Sequence, residues 1–144
     1  MNRPKILIAD DAEVTRTIIR EVLSFLKADF LESDTGVSTI RTINKENPDL
    51  VLLDISMPAP DGLIILKRMR GTEEFKNTPV IIISVESSQE CRDEAKKYNA
   101  SDYLTKPVNF QHLIDSIKKA LPDIKEIPEG ELRQPRVRRN IPKK

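Results

Sequence analysis

Short apolar runs recur along this chain, and each stops at a polar side chain. KILIA (Lys5–Ala9) runs into Asp10 and Asp11, LVLL (Leu50–Leu53) into Asp54, VIII (Val80–Ile83) into Ser84, and SDYLT leads directly to Lys106. Runs this short and this apolar suit strands buried on both faces. The four consecutive β-branched residues Val80 to Ile83 give the strongest strand signal of the set. If the runs lie parallel in one sheet, all five polar side chains meet at its carboxyl edge, where open α/β sheets carry their chemistry.

Between these runs the apolar period becomes helical. From Ala12 to Lys27, Val14, Ile18, Val22 and Leu26 form one stripe with Ile19 and Leu23 beside it, and Asp11 stands where a helix cap belongs. A weak strand at Asp29–Glu32 precedes a helix from Gly36 to Glu46, with Val37, Ile40 and Ile43 inward; Pro48 and Asp49 end it. Further helices are predicted over Leu63–Arg70, Ser87–Lys97 and Phe110–Leu121, with MPAPDG as a loop and a last strand at Asp102–Leu104. Five strands alternating with five helices describe a doubly wound parallel α/β sheet with helices on both faces.

At 144 residues the chain suits one domain with a real core rather than two of ordinary size. Cys91 is the only cysteine, which excludes an intramolecular disulfide and a zinc cage of several thiolates. No apolar run approaches a membrane span, and the first one is too short for a signal peptide. The expected compartment is the cytoplasm, with no membrane partner. Residues 1–121 carry 17 Lys or Arg against 19 Asp or Glu, whereas the last 23 carry 7 against 4, and from Arg133 onward all six charges are basic. Residues 122–144 also hold four of the ten prolines and show no period. They read as a flexible basic tail, or as the stub of a linker to a missing output domain. Six charges without aromatic residues give weak, salt-sensitive contact with nucleic acid, and none is expected from the folded domain, residues 1–121.

The polar residues at the run ends have a chemistry in common. Two carboxylates about 4 Å apart repel by roughly 4 kcal/mol at an effective dielectric near 20, so Asp10, Asp11 and Asp54 call for a cation among them. An all-oxygen set of this kind suits Mg2+, with Mn2+ as a substitute. Asp10 and Asp11 taken alone also fit a plainer role as solvated helix-capping acids; Asp54, directly after another buried run, shifts the balance. Transfer of a phosphoryl group needs its equatorial oxygens neutralised and positioned. The metal, the Lys106 ammonium and the Ser84 hydroxyl supply that, and Asp54 is then the nucleophile that forms an acyl phosphate.

Asp10-Asp11, Asp54, Met57-Pro58, Asp61-Gly62, Ser84, Tyr103 and Lys106-Pro107, in this order and at these intervals, closely resemble the receiver domain of two-component response regulators. The resemblance covers about residues 4–121. It implies a flavodoxin-like fold with strand order 2-1-3-4-5 and phosphorylation of Asp54. It also implies Mg2+ ligation by Asp11, Asp54 and the Ser56 backbone carbonyl, with Asp10 acting mostly through metal-bound water. Lys106 would bridge to the phosphoryl group across a cis peptide to Pro107, and Ser84 with Tyr103 would form the switch pair.

The implied donor is a phosphohistidine on a sensor histidine kinase or phosphotransfer protein. The implied readers are a downstream protein target or a missing output domain, with a phosphorylation-dependent dimer as a further possibility. The predicted helix Ser87–Lys97 has only Cys91 and Ala95 to bury, so it should be loosely held and available as a two-state element. Val85 is bulkier than the small residue the family usually has there and should narrow access to the phosphoryl group. His112 falls away from the assembled site and suits a surface or packing role.

Three rival readings remain at this point. A hydrolase of the haloacid dehalogenase type would want a second acid where Ser56 stands. A dinucleotide-binding fold would want a glycine-rich turn where DDAEV stands. A receiver-like interaction module that is never phosphorylated is disfavoured because all the expected site residues are present.

Overall fold

The strands end together because each one is fed back to the same edge by a helix. In the computed structural model, which describes residues 3–132, the order is β1 (Lys5–Ala9), α1 (Glu13–Val22), β2 (Asp29–Ser33), α2 (Gly36–Glu46), β3 (Leu50–Leu53), α3 (Gly62–Arg70), β4 (Val80–Ser84), α4 (Gln89–Lys97), β5 (Asp102–Thr105) and α5 (Phe110–Ala120). All strands pair in parallel, in the order β2-β1-β3-β4-β5. Every residue of β3 and β4 is buried, as expected of central strands covered on both faces.

Alternation along the strands divides the core in two. Leu7, Val51, Leu53, Val80 and Ile82 face one side, where Ile43 of α2, Ile65, Leu66 and Met69 of α3 and Ala95 of α4 cover them. Ile6, Ile8, Leu50, Leu52, Ile81 and Ile83 face the other, under Ile19 of α1 and Leu113 and Ile117 of α5. Each fully buried aliphatic side chain contributes about 1.5–3 kcal/mol, so the two layers together are the source of the fold's stability.

Helix starts are marked by side-chain caps. Thr35 and Ser38 form a reciprocal capping box on α2, and Asp61, Ser88 and Asn109 accept the backbone N–H three residues on at α3, α4 and α5. The exception is α1. Its cap position is Ala12, which makes no side-chain bond. Asp11, expected there, is exposed.

Two expectations from the apolar pattern need correction. First, α1 stops at Val22 instead of reaching Lys27, and its inward face is Ile19, with Leu23 and Leu26 buried beyond the helix end. Val14 and Ile18 are 70% and 46% exposed, and Val37 of α2 is also exposed. Of the expected α1 stripe only Leu26, with Ile19 and Leu23 beside it, is buried. A helix that ends early leaves Leu26 free to take its place by strand pairing.

Second, residues 124–127 are not a loose tail. Lys27 N–H donates to the Lys125 carbonyl (2.8 Å) and Ile127 N–H to the Phe25 carbonyl (2.7 Å), around an antiparallel bridge between Leu26 and Glu126. Ile124 packs on the α1–α5 side of the core, and Lys118 pairs with Glu126 at 2.6 Å. The same pairing explains both misreadings. A one-residue bridge has no period to read. The basic stretch from Arg133 onward lies outside the described residues. Among the described residues no helix is long and apolar enough to cross a membrane.

Two glycines are required by close approach rather than by backbone angle. A Cβ on Gly36 would lie 2.0 Å from the Pro60 carbonyl oxygen, and one on Gly62 would lie 2.6 Å from the Asp54 carbonyl oxygen. Both obstacles are backbone, so a substitution must move a loop. We predict that Gly36→Ala destabilises the fold by about 1–3 kcal/mol through overpacking, although alanine is the better helix former by about 1 kcal/mol. A urea midpoint that rises in the variant would refute this.

Candidate functional site

Backbone pairing carries on past the strand ends and sets the site's side chains side by side. Asp54 N–H donates to the Ala9 carbonyl (2.9 Å), Asp10 N–H to Ser33 (3.0 Å) and Lys106 N–H to Ser84 (2.9 Å). Ala9 is in register with Leu53, and Ser84 with Thr105. The residues that follow them, Asp10, Asp54 and Lys106, therefore emerge at one edge.

There the carboxylates of Asp10, Asp11 and Asp54 each place an oxygen within 4.8 Å of the others. Asp10 and Asp54 are buried, at 2% and 4% exposure, and Asp11 is open to solvent. Lys106 Nζ donates to Asp10 Oδ2 at 2.7 Å and to Asp54 Oδ2 at 3.1 Å. The remaining oxygens are held by the chain itself: Ala12 N–H donates to Asp10 Oδ1 and Ser56 N–H to Asp54 Oδ1, both at 2.9 Å. The Lys106–Pro107 peptide is cis.

Three carboxylates face one ammonium, and the titration behaviour follows. Burial pushes the Asp10 carboxyl above its ordinary value and the charge of Asp54 adds to it; the bonds from Lys106 and Ala12 only partly offset them. Burial also works against charge on Lys106, but its contacts with Asp10 and Asp54 outweigh it and hold the ammonium above its ordinary value. The donor set is all oxygen, negatively charged in excess and partly open through Asp11. That combination fits a hard divalent cation such as Mg2+, which keeps waters and takes one or two carboxylates.

Ser84 is fully buried, and its hydroxyl accepts the Glu86 N–H at 3.1 Å. Tyr103 is half-buried against the α3–α4 side of the core. Its hydroxyl donates to the Glu86 carbonyl. Ser84 and Tyr103 are thus joined through the backbone of one residue, Glu86. Ser56 sits exposed next to Asp54.

His112 lies elsewhere, with Nε2 3.0 Å from Asp102 Oδ2 at the start of β5. Burial favours protonation of Asp102, but bonds from the Ser116 hydroxyl, the Tyr103 N–H and His112 hold its carboxyl below the usual range.

Sequence reasoning missed two contributors. Arg16 donates to the main-chain oxygen of Asp10 (2.8 Å) and to Glu32 of β2 (2.9 Å), bracing the first acid. Gly62, present in the Asp61-Gly62 motif but given no role there, lets α3 approach the Asp54 carbonyl. A side chain bonding to a main-chain oxygen leaves no trace in the spacing of residue types.

Comparison with known proteins agrees with this arrangement. The sequence profile of the response regulator receiver domain matches residues 6–118. Sporulation initiation phosphotransferase F of Bacillus subtilis is 35% identical over 122 residues, covering 85% of this chain and 97% of that protein. Chemotaxis protein CheY-3 of Vibrio cholerae is 33% identical over 116 residues, 80% of this chain and 89% of that one. Among solved structures, the receiver domain of the Francisella response regulator 1452 superposes with a TM-score of 0.75 at 34% identity, covering 82% of this chain and 96% of its own. With five parallel strands in the order 2-1-3-4-5 and the acids gathered at their carboxyl edge, the chain belongs to the response regulator receiver family of two-component phosphorelay systems.

Proposed function

We propose that Asp54 is the phosphoacceptor of this receiver. The observation that carries the reading is the state of its carboxylate: buried, with Oδ1 fixed by the Ser56 N–H and Oδ2 on the Lys106 ammonium. A fixed carboxylate beside a cation is a nucleophile already oriented. One of its oxygens attacks the phosphorus of a phosphohistidine. The O–P bond forms as the P–N bond breaks, and the electron pair leaves on the imidazole nitrogen. Lys106 then pairs with a phosphoryl oxygen, and the Ser84 hydroxyl turns towards another.

Asp10, Asp11, Asp54 and the Ser56 carbonyl are the residues that would hold Mg2+ or Mn2+. Bound there, the ion neutralises phosphoryl oxygen charge as it develops. The chain's own contribution is to bring the ligands together and to keep Lys106 within reach of both buried acids.

A protein donor fits the surroundings of the site. The exposed large apolar side chains Val14, Ile18, Val37, Ile64 and Val85 belong to the opening turns of α1, α2 and α3 and to the residue after Ser84. Those segments all border the carboxyl edge of the sheet. Apolar side chains left in water around a charged site mark an interaction surface. A sensor histidine kinase or phosphotransfer protein is the partner they suit. Ser84 and Tyr103 form the switch that reports the phosphoryl group to the surface of α4, β5 and α5. A downstream protein, an output domain or a second copy of the chain reads it there. The domain acts as a cytoplasmic signalling module and turns over no external metabolite.

Three outcomes are expected. Incubated with acetyl phosphate and Mg2+, the chain should gain the mass of one phosphoryl group, and neither Asp54→Ala nor the metal-free protein should. No gain with acetyl phosphate or with a partner kinase would favour an interaction module that is never phosphorylated. Val85→Ala should speed loading from the small donor or loss of the phosphoryl group; unchanged rates for both would remove Val85 as a gate. Finally, Asp10 titrates above the ordinary 3.8 in the fold, so ionising it costs stability once pH exceeds that value. Asp10→Asn should therefore stabilise the metal-free chain at pH 7, with the gain fading as pH falls from the raised folded value towards 3.8 and gone below it. A lower urea midpoint for the variant at pH 7 would contradict that.

A further inference from the structure

Helix α4 is attached to the rest of the fold differently at its two ends. Only Ala95 of the helix is fully buried. At its carboxyl end Arg70 of α3 donates to the carbonyls of Tyr98 (2.9 Å) and Asn99 (3.2 Å), and also to that of Phe75 (3.1 Å). These are main-chain acceptors far from Asp54.

Nearer the amino end, Cys91 packs partly on the core, and one polar side chain supplies the rest of the attachment. The Arg92 guanidinium lies 4.7 Å from the centre of the Tyr103 ring and donates to Thr105 Oγ1 at 2.7 Å. Thr105 immediately precedes Lys106, whose ammonium contacts Asp10 and Asp54. Tyr103 is tied through Glu86 to Ser84. Arg92 thus grips both arms of the proposed switch, the aromatic ring on one side and the strand end that carries the lysine on the other.

We infer that Arg92 is a latch that holds α4 against Tyr103 and Thr105 in the unphosphorylated arrangement, so that this docking opposes phosphoryl capture at Asp54. The inference rests on the proposed readings of Asp54 as phosphoacceptor and of Ser84 with Tyr103 as the switch, and takes that switch to turn the Tyr103 ring inward, away from α4, on phosphorylation. Inward rotation takes the ring from beneath the guanidinium and forfeits the cation–π contact. The loosely packed helix then pivots about its Arg70 end. Arg92 is a positioning residue, acting on the site through Tyr103 and Thr105. Coupling of this kind is reciprocal: whatever weakens the latch must strengthen binding of the phosphoryl group or its mimic.

The test uses the full chain with Mg2+ and beryllofluoride, a mimic of the acyl phosphate, with affinity read by calorimetry. Arg92→Ala should bind it roughly two- to fivefold more tightly, the factor a single exposed cation–π contact represents. Arg92→Lys, which keeps a cation near the ring without the planar fork, should fall between the two; it also serves if the alanine variant does not fold. In a Tyr103→Ala background the gain from Arg92→Ala should shrink, which isolates the pair. A gain of equal size in both backgrounds would mean general loosening of α4 and would overturn the latch. Unchanged or weaker binding in Arg92→Ala and Arg92→Lys would overturn it as well, while leaving the phosphoacceptor reading intact. If the unaltered chain takes up no beryllofluoride, the phosphoacceptor reading falls and the latch falls with it.

Discussion

At the carboxyl edge of the sheet, Lys106 reaches Asp10 at 2.7 Å and Asp54 at 3.1 Å while Asp11 is left facing solvent. Each surrounding element limits how that imbalance can relax. The backbone ladder fixes Asp10, Asp54 and Lys106 through bonds to Ser33, Ala9 and Ser84, so the acids cannot drift apart. Ala12 and Ser56 hold the two oxygens that Lys106 does not, so neither carboxylate can turn away. Gly62 lets α3 press on the Asp54 carbonyl from the other side. The two core layers supply the stability needed to keep like charges together, at a cost of several kcal/mol before a cation arrives.

The fold was largely readable because its central strands are extreme. β4 is a run of β-branched residues that suits a pleated, covered strand, and β3 is a short apolar run ended by an acid. The placement of Asp10, Asp54 and Lys106 was readable for a related reason: each follows a strand directly, so placing the strand placed the residue. What failed was phase and partnership. On α1, Val14 and Ile18 satisfy a helical stripe as well as Ile19 does, and the pattern alone does not say which set is buried. The bridge that receives Leu26 comes from residues 124–127, about a hundred positions away, and no local window contains it. Arg16, Arg70 and Arg92 were equally silent, because all three act largely on main-chain oxygens or on a ring whose position the fold sets.

The misplaced stripe turns out to matter for function. Side chains that a core-seeking pattern assigns to the interior stand instead in water around the acids. Their exposure has no benefit for the isolated fold, since each would contribute more if buried. On the proposed reading of Asp54, such exposure suits a surface covered for part of the time by a protein donor.

The uneven attachment of α4 follows from the same economy of contacts. A helix packed as firmly as α3, with Ile65, Leu66 and Met69 in the core, would need many contacts broken before it could move. No single phosphoryl group could supply that free energy, because a ligand shifts an equilibrium only by its differential affinity for the two states. With Ala95 as its one buried residue and Arg70 as a fixed point, α4 leaves a small set of interactions to be exchanged, and these gather on Tyr103 and Thr105. A switch of this size can be biased by the few charge-assisted bonds that a phosphoryl group on Asp54 would make with Lys106 and Ser84. On the proposed reading, the thin apolar stripe of α4 matches the energy of the switch to the energy of the signal.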